Sequence, residues 1–313
     1  MSRLIEQLRT ALRHEIHGQE ARIEEVLLGL LAGGHVLLEG VPGIGKTKLA
    51  KTLAEALSLT MARIQFTPDM LPSDVTGSVL YDMREGDFRV ERGPIFSQVI
   101  LADEINRTPP KTQAALLEAM EERQVTLYGQ TLTLPRPFFV IATQNPIEYE
   151  GTYPLPEAQL DRFLLKIEMG YPSREAEFDM LTSYHPAHLD QQPSAHSRQA
   201  AIDAEAIVHA QEAVSRVEAS PAVLHYIVDL ISESRMMPAV SLGASPRAAT
   251  AVLMASRAHA YLDERTYVTP DDVVAVLQPV LRHRLQISAT AELEGVTPQR
   301  AIDELLHRVA VPR

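Results

Sequence analysis

A glycine-rich segment near the start of the chain has the residue types and the spacing that bind phosphate. Its sequence is Gly40-Val-Pro-Gly43-Ile-Gly45-Lys46-Thr47, a complete G-x-x-x-x-G-K-S/T pattern. Glycines let consecutive backbone N–H groups converge on phosphate oxygens, the lysine adds a charge for the β- and γ-phosphates, and the threonine hydroxyl can ligate Mg²⁺. The segment predicts a site for a magnesium-bound nucleoside triphosphate, contacted by Gly40, Pro42, Gly43, Ile44, Gly45, Lys46, Thr47 and Lys48.

Two adjacent carboxylates end a later apolar run, Val99-Ile-Leu-Ala-Asp103-Glu104. At the end of a strand, Asp103 can hold a hydrated Mg²⁺, and Glu104 can polarise a water that attacks the γ-phosphate. An isolated Asp-Glu pair is often only a solvated strand end. Its place after the phosphate-binding segment favours the catalytic interpretation and hydrolysis over simple binding.

A third apolar run ends in Ile141-Ala-Thr143-Gln-Asn145-Pro146. The Asn145 amide could orient the lytic water beside the γ-phosphate, which an apolar side chain cannot do. Asn-Pro is also an ordinary start of a turn. The catalytic interpretation of Asn145 therefore depends on its order after the two preceding motifs.

These motifs need strands that end at one edge of a sheet. Short, nearly continuous apolar runs predict strands at 35–39, 62–66, 99–103 and 138–143, typical of a parallel sheet buried on both faces. Apolar spacing predicts two helices before the first strand and a helix over Lys46–Leu57 directly after the glycines. The expected fold class is α/β, a three-layer αβα core with a parallel sheet.

Two segments carry the pattern of inserted β-hairpins. Val79–Met83 and Phe88–Val90 flank Arg84-Glu85-Gly86-Asp87, and Val125–Tyr128 and Thr131–Leu134 flank Gly129-Gln130. Surface hairpins of this kind are candidates for contacts with a partner.

The composition changes after Tyr171-Pro172. The stretch to Ser197 is rich in Pro, His and Ser, and its His185, His188, Asp190 and His196 have only loose ligand-like spacing, so we expect no metal site there. Long helices are predicted beyond it, at Ala222–Ser232, Arg247–Leu262 and Asp271–Leu281. We therefore predict a nucleotide-binding core over 1–171 and a helical lid domain over 172–313.

Composition and charge exclude several classes of protein. The 313 residues include no cysteine and no tryptophan. The lack of cysteine rules out disulfides, thiolate nucleophiles and cysteine-based metal sites. The net charge of −12 disfavours affinity gained by neutralising nucleic-acid phosphates. The most apolar stretch, Val26–Leu38, is interrupted by Gly33, Gly34 and His35 and is too short to cross a membrane. We expect a soluble cytoplasmic protein.

The motifs together resemble the MoxR family of AAA+ ATPases, from about Gly18 to the C-terminus. The likeness lies in Gln65-Phe-Thr-Pro-Asp69, Pro72-Ser-Asp74-Val-Thr-Gly77, Glu104-Ile-Asn-Arg107-Thr-Pro-Pro-Lys111, Leu155-Pro-Glu-Ala-Gln-Leu-Asp161-Arg162-Phe163, Gly243-Ala-Ser-Pro-Arg247-Ala and Val268-Thr-Pro-Asp-Asp272-Val. The resemblance implies a P-loop NTPase core, a small all-α lid, and hydrolysis of ATP to ADP and phosphate with Mg²⁺.

The resemblance also implies roles for single residues. Arg162 looks like the arginine finger that one subunit offers to its neighbour's γ-phosphate, although it could instead be a helix-end arginine paired with Asp161. Arg247 looks like the sensor-2 arginine of the lid, with a surface arginine as the alternative. Gln65 is similar to the switch residue that restrains the catalytic glutamate. Gly18 and Gln19 lie where the family contacts adenine through backbone groups, and His17 departs from the usual small apolar residue there.

A finger supplied by a neighbour implies a closed homo-oligomer, a hexameric ring by family likeness, with the hairpins facing its pore. Such proteins act as chaperone-like remodelers or as assembly and metal-insertion factors for a protein client. The resemblance also implies a partner with a von Willebrand factor A domain. The Asp-x-Ser-x-Ser string of that domain is absent here, so we expect the domain on a separate chain. The alternatives are a magnesium-chelatase-like motor subunit or nucleic-acid translocase, and a nucleotide-gated scaffold with little turnover.

Overall fold

The computed structural model describes residues 2–83, 86–145, 151–183 and 202–312. The helices in this part of the chain are α1 Ser2–Glu15, α2 Glu20–Leu31, α3 Lys46–Ala56, α4 Pro72–Thr76, α5 Pro110–Glu122, α6 Glu157–Leu160, α7 Arg174–Ser183, α8 Ala204–Ser215, α9 Pro221–Ser234, α10 Pro246–Leu262, α11 Pro270–Leu281, α12 Ala289–Leu293 and α13 Pro298–Arg308. The strands are β1 Val36–Glu39, β2 Met61–Gln65, β3 Gly77–Asp82, β4 Asp87–Arg92, β5 Val99–Asp103, β6 Gln124–Leu127, β7 Gln130–Thr133, β8 Phe139–Gln144, β9 Leu165–Glu168, β10 Val240–Leu242 and β11 Gln286–Ile287.

The main sheet has five strands in the order β2-β5-β8-β1-β9. The β2–β5 and β5–β8 pairs are parallel, with Gln65 opposite Asp103 and Ala102 opposite Ala142. All five residues of β5 are buried, and so are the first five of β8. The register therefore brings the polar ends of β2, β5 and β8 to the same edge, and the four strands predicted from apolar runs are confirmed.

The fifth strand, β9, was not among the predicted strands. Its sequence Leu-Lys-Ile-Glu alternates, and so does its burial. Continuous apolar runs are typical of strands buried on both faces, whereas an edge strand of this kind is polar at alternate residues. The β10–β11 pair in the C-terminal part was also not predicted, since strands of three and two residues carry too little pattern.

Both predicted hairpins are confirmed. β3 pairs antiparallel with β4, and β6 with β7. The Phe88 ring stacks on Tyr128 of the other hairpin at 5.3 Å, and it packs edge to face on Tyr81 of its own hairpin, also at 5.3 Å. Arg84 and Glu85, part of the first predicted turn, lie outside the described residues.

The chain divides into two compact units. The first comprises 1–26, 38–153 and 168–208, and the second comprises 27–37, 154–167 and 209–313. The second unit contains helices α9, α10 and α11, which confirm the three helices predicted there to within two residues at each end. The domain boundary at residue 171 stays a prediction, and His185, His188, Asp190 and His196 fall outside the described residues. Among the helices described, none combines the length and the apolar character needed to cross a bilayer.

Asp272 organises the second unit from the first turn of α11, where it is fully buried. Arg265 donates to both of its oxygens at 2.5 and 2.6 Å, the Thr269 N–H and hydroxyl donate at 2.7 and 2.8 Å, and His259 Nδ1 lies at 2.7 Å. Burial alone would raise the pKa of Asp272, but the hydrogen bonds from Arg265, His259 and Thr269 outweigh it and hold the pKa well below its usual value. The cluster of His259, Asp263 and Asp272 is thus already neutralised by a guanidinium and serves structure.

We expect Asp272→Asn to lower the free energy of unfolding by about 3 kcal/mol at pH 7, because it removes the charged acceptor of the hydrogen bonds that Arg265 and Thr269 donate at this fully buried position. The folded pKa lies below the unfolded value of about 4. The carboxylate's contribution is therefore complete above that value and is lost as the pH falls through the folded pKa, so the difference between variants shrinks in acid. Urea unfolding at pH 7 and pH 3 measures it. Asp271→Asn, at an exposed neighbour, is the matched control, and equal losses from both variants would contradict the assignment.

Candidate functional site

The glycine-rich segment forms the loop between β1 and α3. Gly43 and Gly45 have φ angles of 82° and 90°, a region that residues with a Cβ avoid. Gly45 is also the N-cap of α3 and has no side chain to occupy the first N–H groups of the helix. Since those groups point out of a helix N-terminus, the loop offers the donors that a phosphate requires. The residues fit a nucleotide phosphate chain.

Gly40 and Lys46 fix the base of this loop. A Cβ on Gly40 would lie 2.4 Å from the Met169 carbonyl oxygen and 2.6 Å from Ile44 Cδ1. The Lys46 Nζ donates to the Gly40 carbonyl at 2.7 Å. A side chain at position 40 would therefore displace the loop and its lysine together.

Lys48, also predicted to contact the nucleotide, directs its ammonium to α1. Its Nζ lies 3.0 Å from Glu15 Oε2, and both side chains are about half exposed. The hydrogen bond from Lys48 lowers the pKa of Glu15. Any contact of Lys48 with a phosphate would accordingly come from its backbone N–H.

Gly18 and Gln19, predicted near the adenine, are both held against the segment after β9. Gly18 has a φ of 70°, and a Cβ on it would lie 2.5 Å from the Ala176 Cβ. The buried Gln19 side chain donates to the Gly170 carbonyl at 2.9 Å. The side chain of Gln19 is thus used within the protein, which leaves backbone groups for a base.

Asp103, at the end of β5, is held by two neighbours. The fully buried Thr143 donates its hydroxyl to Oδ1 at 2.6 Å, and Arg63 Nη2 donates to Oδ2 at 2.8 Å. The Thr143 hydroxyl also accepts the Glu104 N–H at 2.9 Å. The Asp103 carboxylate and the Thr47 hydroxyl are hard oxygen donors of the kind that Mg²⁺ prefers, so these residues fit the ion.

Glu104 is engaged on both sides in this conformation. Its Oε2 accepts from Gln65 Nε2 at 2.8 Å and from Arg107 Nη1 at 3.0 Å, and Gln65 Oε1 accepts from Arg63 Nη2 at 2.8 Å. A chain of contacts therefore runs from Asp103 through Arg63 and Gln65 to Glu104. The Glu104 backbone is left-handed, with φ 56° and ψ 50°, which costs roughly 1–2 kcal/mol in a residue with a Cβ. Such strain is common where a side chain must be aimed.

Asn145 is buried directly after β8, the strand that pairs with β5. The carbonyl of Gln144, the last residue of β8, accepts the Gly40 N–H at 3.4 Å. The edge thus gathers the predicted Gly40 loop, Asp103, Glu104 and Asn145, whereas Pro146 lies outside the described residues.

Arg162 and Arg247 lie in the second compact unit. Arg162 follows α6 and is partly buried, and Arg247 is exposed in the first turn of α10. The α10 N-cap is Ser245, whose hydroxyl accepts the Ala248 N–H at 3.3 Å. The finger role of Arg162 and the sensor role of Arg247 stay predictions.

Three residues of the site were missed from the sequence. Thr143 lies two residues before Asn145 in the same motif, and its hydroxyl was the available signal. Arg63 shares a strand face with Gln65, two residues on, so the period of two in β2 was a usable signal. Arg107 follows Glu104 at the i,i+3 spacing of a helical turn, and this spacing was also a usable sequence signal.

Two family models match the chain. Residues 35–165 match the ATPase family associated with various cellular activities, and residues 232–305 match the AAA lid domain. The first match includes the glycine-rich loop, Asp103, Glu104, Asn145 and Arg162.

Relatives cover most of the chain. It is 48% identical to the uncharacterised protein YeaC of Bacillus subtilis, over 91% of this chain and 88% of that protein, and 41% identical to Chaperone MoxR1 of Mycobacterium tuberculosis, over 95% and 80%. A crystal structure of a candidate ATPase from Cytophaga hutchinsonii is 38% identical, with a TM-score of 0.90 and coverage of 100% of this chain and 96% of that one. Sequence identity at this level over most of the chain, together with the P-loop α/β core and a helical lid, shows that the chain belongs to the MoxR family of AAA+ ATPases.

Proposed function

We propose that this chain binds ATP with Mg²⁺ and hydrolyses it to ADP and phosphate. The observation that carries the proposal is the convergence of the phosphate-binding loop, Asp103 and Glu104 at one edge of the sheet, with Thr143 bonded to both acidic residues. The membership of an ATPase family supports the same reaction.

Each residue has a separate task in this reaction. The loop N–H groups and the Lys46 ammonium bind the β- and γ-phosphates, and Thr47 and Asp103 would hold Mg²⁺, which would neutralise charge on the phosphate oxygens. A Glu104 carboxylate oxygen accepts the proton of the attacking water, and the Asn145 amide orients that water. The water oxygen bonds to the γ-phosphorus as the bond to the ADP oxygen breaks.

The contacts of Glu104 support a restraint on this reaction. Its Oε2 is shared by Gln65 and Arg107, so we propose that turnover requires Glu104 to leave at least one of them. Gln65 would act as the switch, since Arg63 ties its carbonyl to the same network that holds Asp103.

We further propose that the chain works as a closed homo-oligomeric ring, a hexamer by family likeness. Arg162 would stabilise the transition-state charge on the neighbour's γ-phosphate, and Arg247 would couple the lid to the nucleotide of its own subunit. A finger given to a neighbour requires head-to-tail contacts, and these must close to avoid an open filament.

The cellular role that we propose is remodelling of a protein client, as a chaperone-like or assembly and metal-insertion factor. One relative is named a chaperone, and the acidic net charge of −12 disfavours nucleic acid. Exposed apolar side chains on the two hairpins, Tyr81, Met83, Phe88 and Tyr128, offer a surface to an unfolded segment. By family likeness, a von Willebrand factor A domain protein on another chain would select the client.

Lys46→Ala is the direct test of the nucleotide site. We expect it to weaken ATP binding about 10- to 150-fold, since a hydrogen bond to a charged group contributes about 1.5–3 kcal/mol. Titration with a fluorescent ATP analogue measures the affinity. Lys48→Ala is the matched control, because that ammonium faces Glu15, and its affinity is expected to stay within about twofold of wild type. Equal losses from both lysines would contradict the site.

A second test addresses the hairpins. We expect a Phe88→Ser, Tyr128→Ser double variant to keep its basal ATPase rate. An unfolded protein should still stimulate the ATPase of this variant, but half-maximal stimulation should need at least about tenfold more unfolded protein than with wild type. The reason is that each lost aromatic contact contributes about 1.5–3 kcal/mol. The probe is reduced, carboxymethylated lactalbumin, which stays unfolded. Tyr267→Ser, an exposed aromatic residue elsewhere, is the control. Stimulation that is equal in all variants would remove the hairpins from client binding.

A further inference from the structure

Arg284 is a buried arginine with an unusual set of partners. It follows α11, and only 3% of its side chain is exposed. Its Nε donates to Asp161 Oδ1 at 2.6 Å, its Nη2 to the Phe163 carbonyl at 2.6 Å, and its Nη1 to the Leu164 carbonyl at 3.0 Å and to the Val280 carbonyl. Burial lowers the pKa of Arg284, and the Asp161 carboxylate opposes that shift.

The acceptors of Arg284 surround one position of the chain. Nη2 also reaches the Asp161 carbonyl at 3.2 Å, so the guanidinium binds backbone oxygens on both sides of Arg162. The neighbouring His283 adds a bond from Nε2 to the Phe163 carbonyl at 3.0 Å. The planar fork of an arginine can make this set of bonds, whereas the single ammonium of a lysine cannot span it.

Asp161 extends the same cluster to α10. While Oδ1 accepts from Arg284, Oδ2 accepts from the Ser245 hydroxyl at 3.3 Å. Ser245 is the N-cap of α10 and lies two residues before Arg247. One carboxylate therefore joins the backbone at Arg162 to the start of the helix that carries Arg247.

We propose that Arg284 is a positioning residue for Arg162, which it holds in the geometry needed to reach a neighbouring subunit, and that Asp161 couples this geometry to α10. The inference rests on the proposed finger role of Arg162. A buried ion pair is a poor way to gain stability, since apolar residues of the same volume are often as good or better. Its placement around Arg162 is explained by the need for a fixed backbone there.

A change at Arg284 should therefore impair the subunit that supplies the Arg162 finger, and not the subunit that receives it. The subunit's own glycine loop, Asp103 and Glu104 remain intact. An Arg284→Lys enzyme should therefore lose kcat about tenfold or more, with the KM for ATP within about twofold of wild type, as expected when only a transition-state contact is lost. Thermal unfolding and sedimentation of the variant check that it folds and assembles.

Mixed rings separate the giving subunit from the receiving one. In a mixture of Arg162→Ala and Glu104→Gln subunits, the first type keeps its site and the second keeps its finger, so activity should exceed the sum of the two alone. If this reference pair does not complement, the proposed finger role of Arg162 fails, whatever Arg284 does. If it does, Arg284→Lys should be rescued by Glu104→Gln in the same way. The double variant Arg284→Lys, Glu104→Gln should fail to rescue Arg162→Ala.

Two results would overturn the inference: an Arg284→Lys enzyme that Glu104→Gln does not rescue, or a double variant that donates as well as Glu104→Gln alone. If Arg284→Lys does not fold, a comparison of two variants at serine N-caps, Ser245→Ala and Ser220→Ala, tests the proposal instead. Ser245→Ala removes a helix cap and the bond to Asp161, whereas Ser220→Ala removes only the equivalent cap of α9. Only Ser245→Ala should reduce donation of the finger in mixed rings, and equal behaviour of the two variants would overturn the proposal.

Discussion

Glu104→Gln is expected to lower kcat for ATP hydrolysis by about 10²–10⁴-fold, the usual contribution of a positioned general base. The amide keeps the size of the side chain but cannot accept a proton from water. Glu104 acts on the attacking water and is not part of the phosphate-binding loop. The affinity for ATP should therefore remain within a few-fold of wild type.

Steady-state phosphate release and titration with a fluorescent nucleotide measure the two quantities separately. Glu118→Gln is the matched control, since this glutamate is exposed on α5, and its turnover should equal that of wild type. A Glu104→Gln enzyme that turns over at the wild-type rate would mean that another group activates the water.

Arg162→Ala has the second large expected effect, a loss in kcat of about 10³–10⁵-fold if the residue acts as an arginine finger. The guanidinium would neutralise charge that grows on the γ-phosphate oxygens only in the transition state, so ATP binding should change far less. The same change in a surface arginine, Arg216→Ala, is the control, because that side chain is 80% exposed in the same unit.

The assembly of Arg162→Ala must be measured with its rate, because a finger at a subunit contact can also hold the ring together. Sedimentation velocity at the assay concentration gives this control. An assembled variant with unchanged kcat would show that Arg162 is a helix-end residue without a role in the reaction.

Local patterns predicted much of the core and the site. The β5 bounds of 99–103 and the start of α3 at Lys46 agree with the structure, because a buried apolar run and a glycine loop are continuous in sequence. The position of Asp103 and Glu104 at the same edge as the glycine loop was also predictable, because parallel strands end at one edge of a sheet.

Contacts between distant segments were not predictable in the same way. The bond from Arg284 to Asp161 joins residues 123 positions apart, and the pair of Thr143 and Asp103 joins residues 40 apart. The pairing of a given arginine with a given carboxylate depends on tertiary packing, which cannot be read from a single sequence. The contact of Gln65 with Glu104 follows from the β2–β5 register, and that register was not known from the motifs.

The central claim is that one subunit completes the active site of the next. Specific ATPase activity, measured as phosphate released per subunit over a wide range of protein concentration, tests it most directly, with sedimentation velocity on the same samples. The account predicts that activity per subunit is low in dilute samples, rises steeply as rings assemble and then reaches a plateau. Activity per subunit that stays constant from monomer to oligomer would contradict the claim.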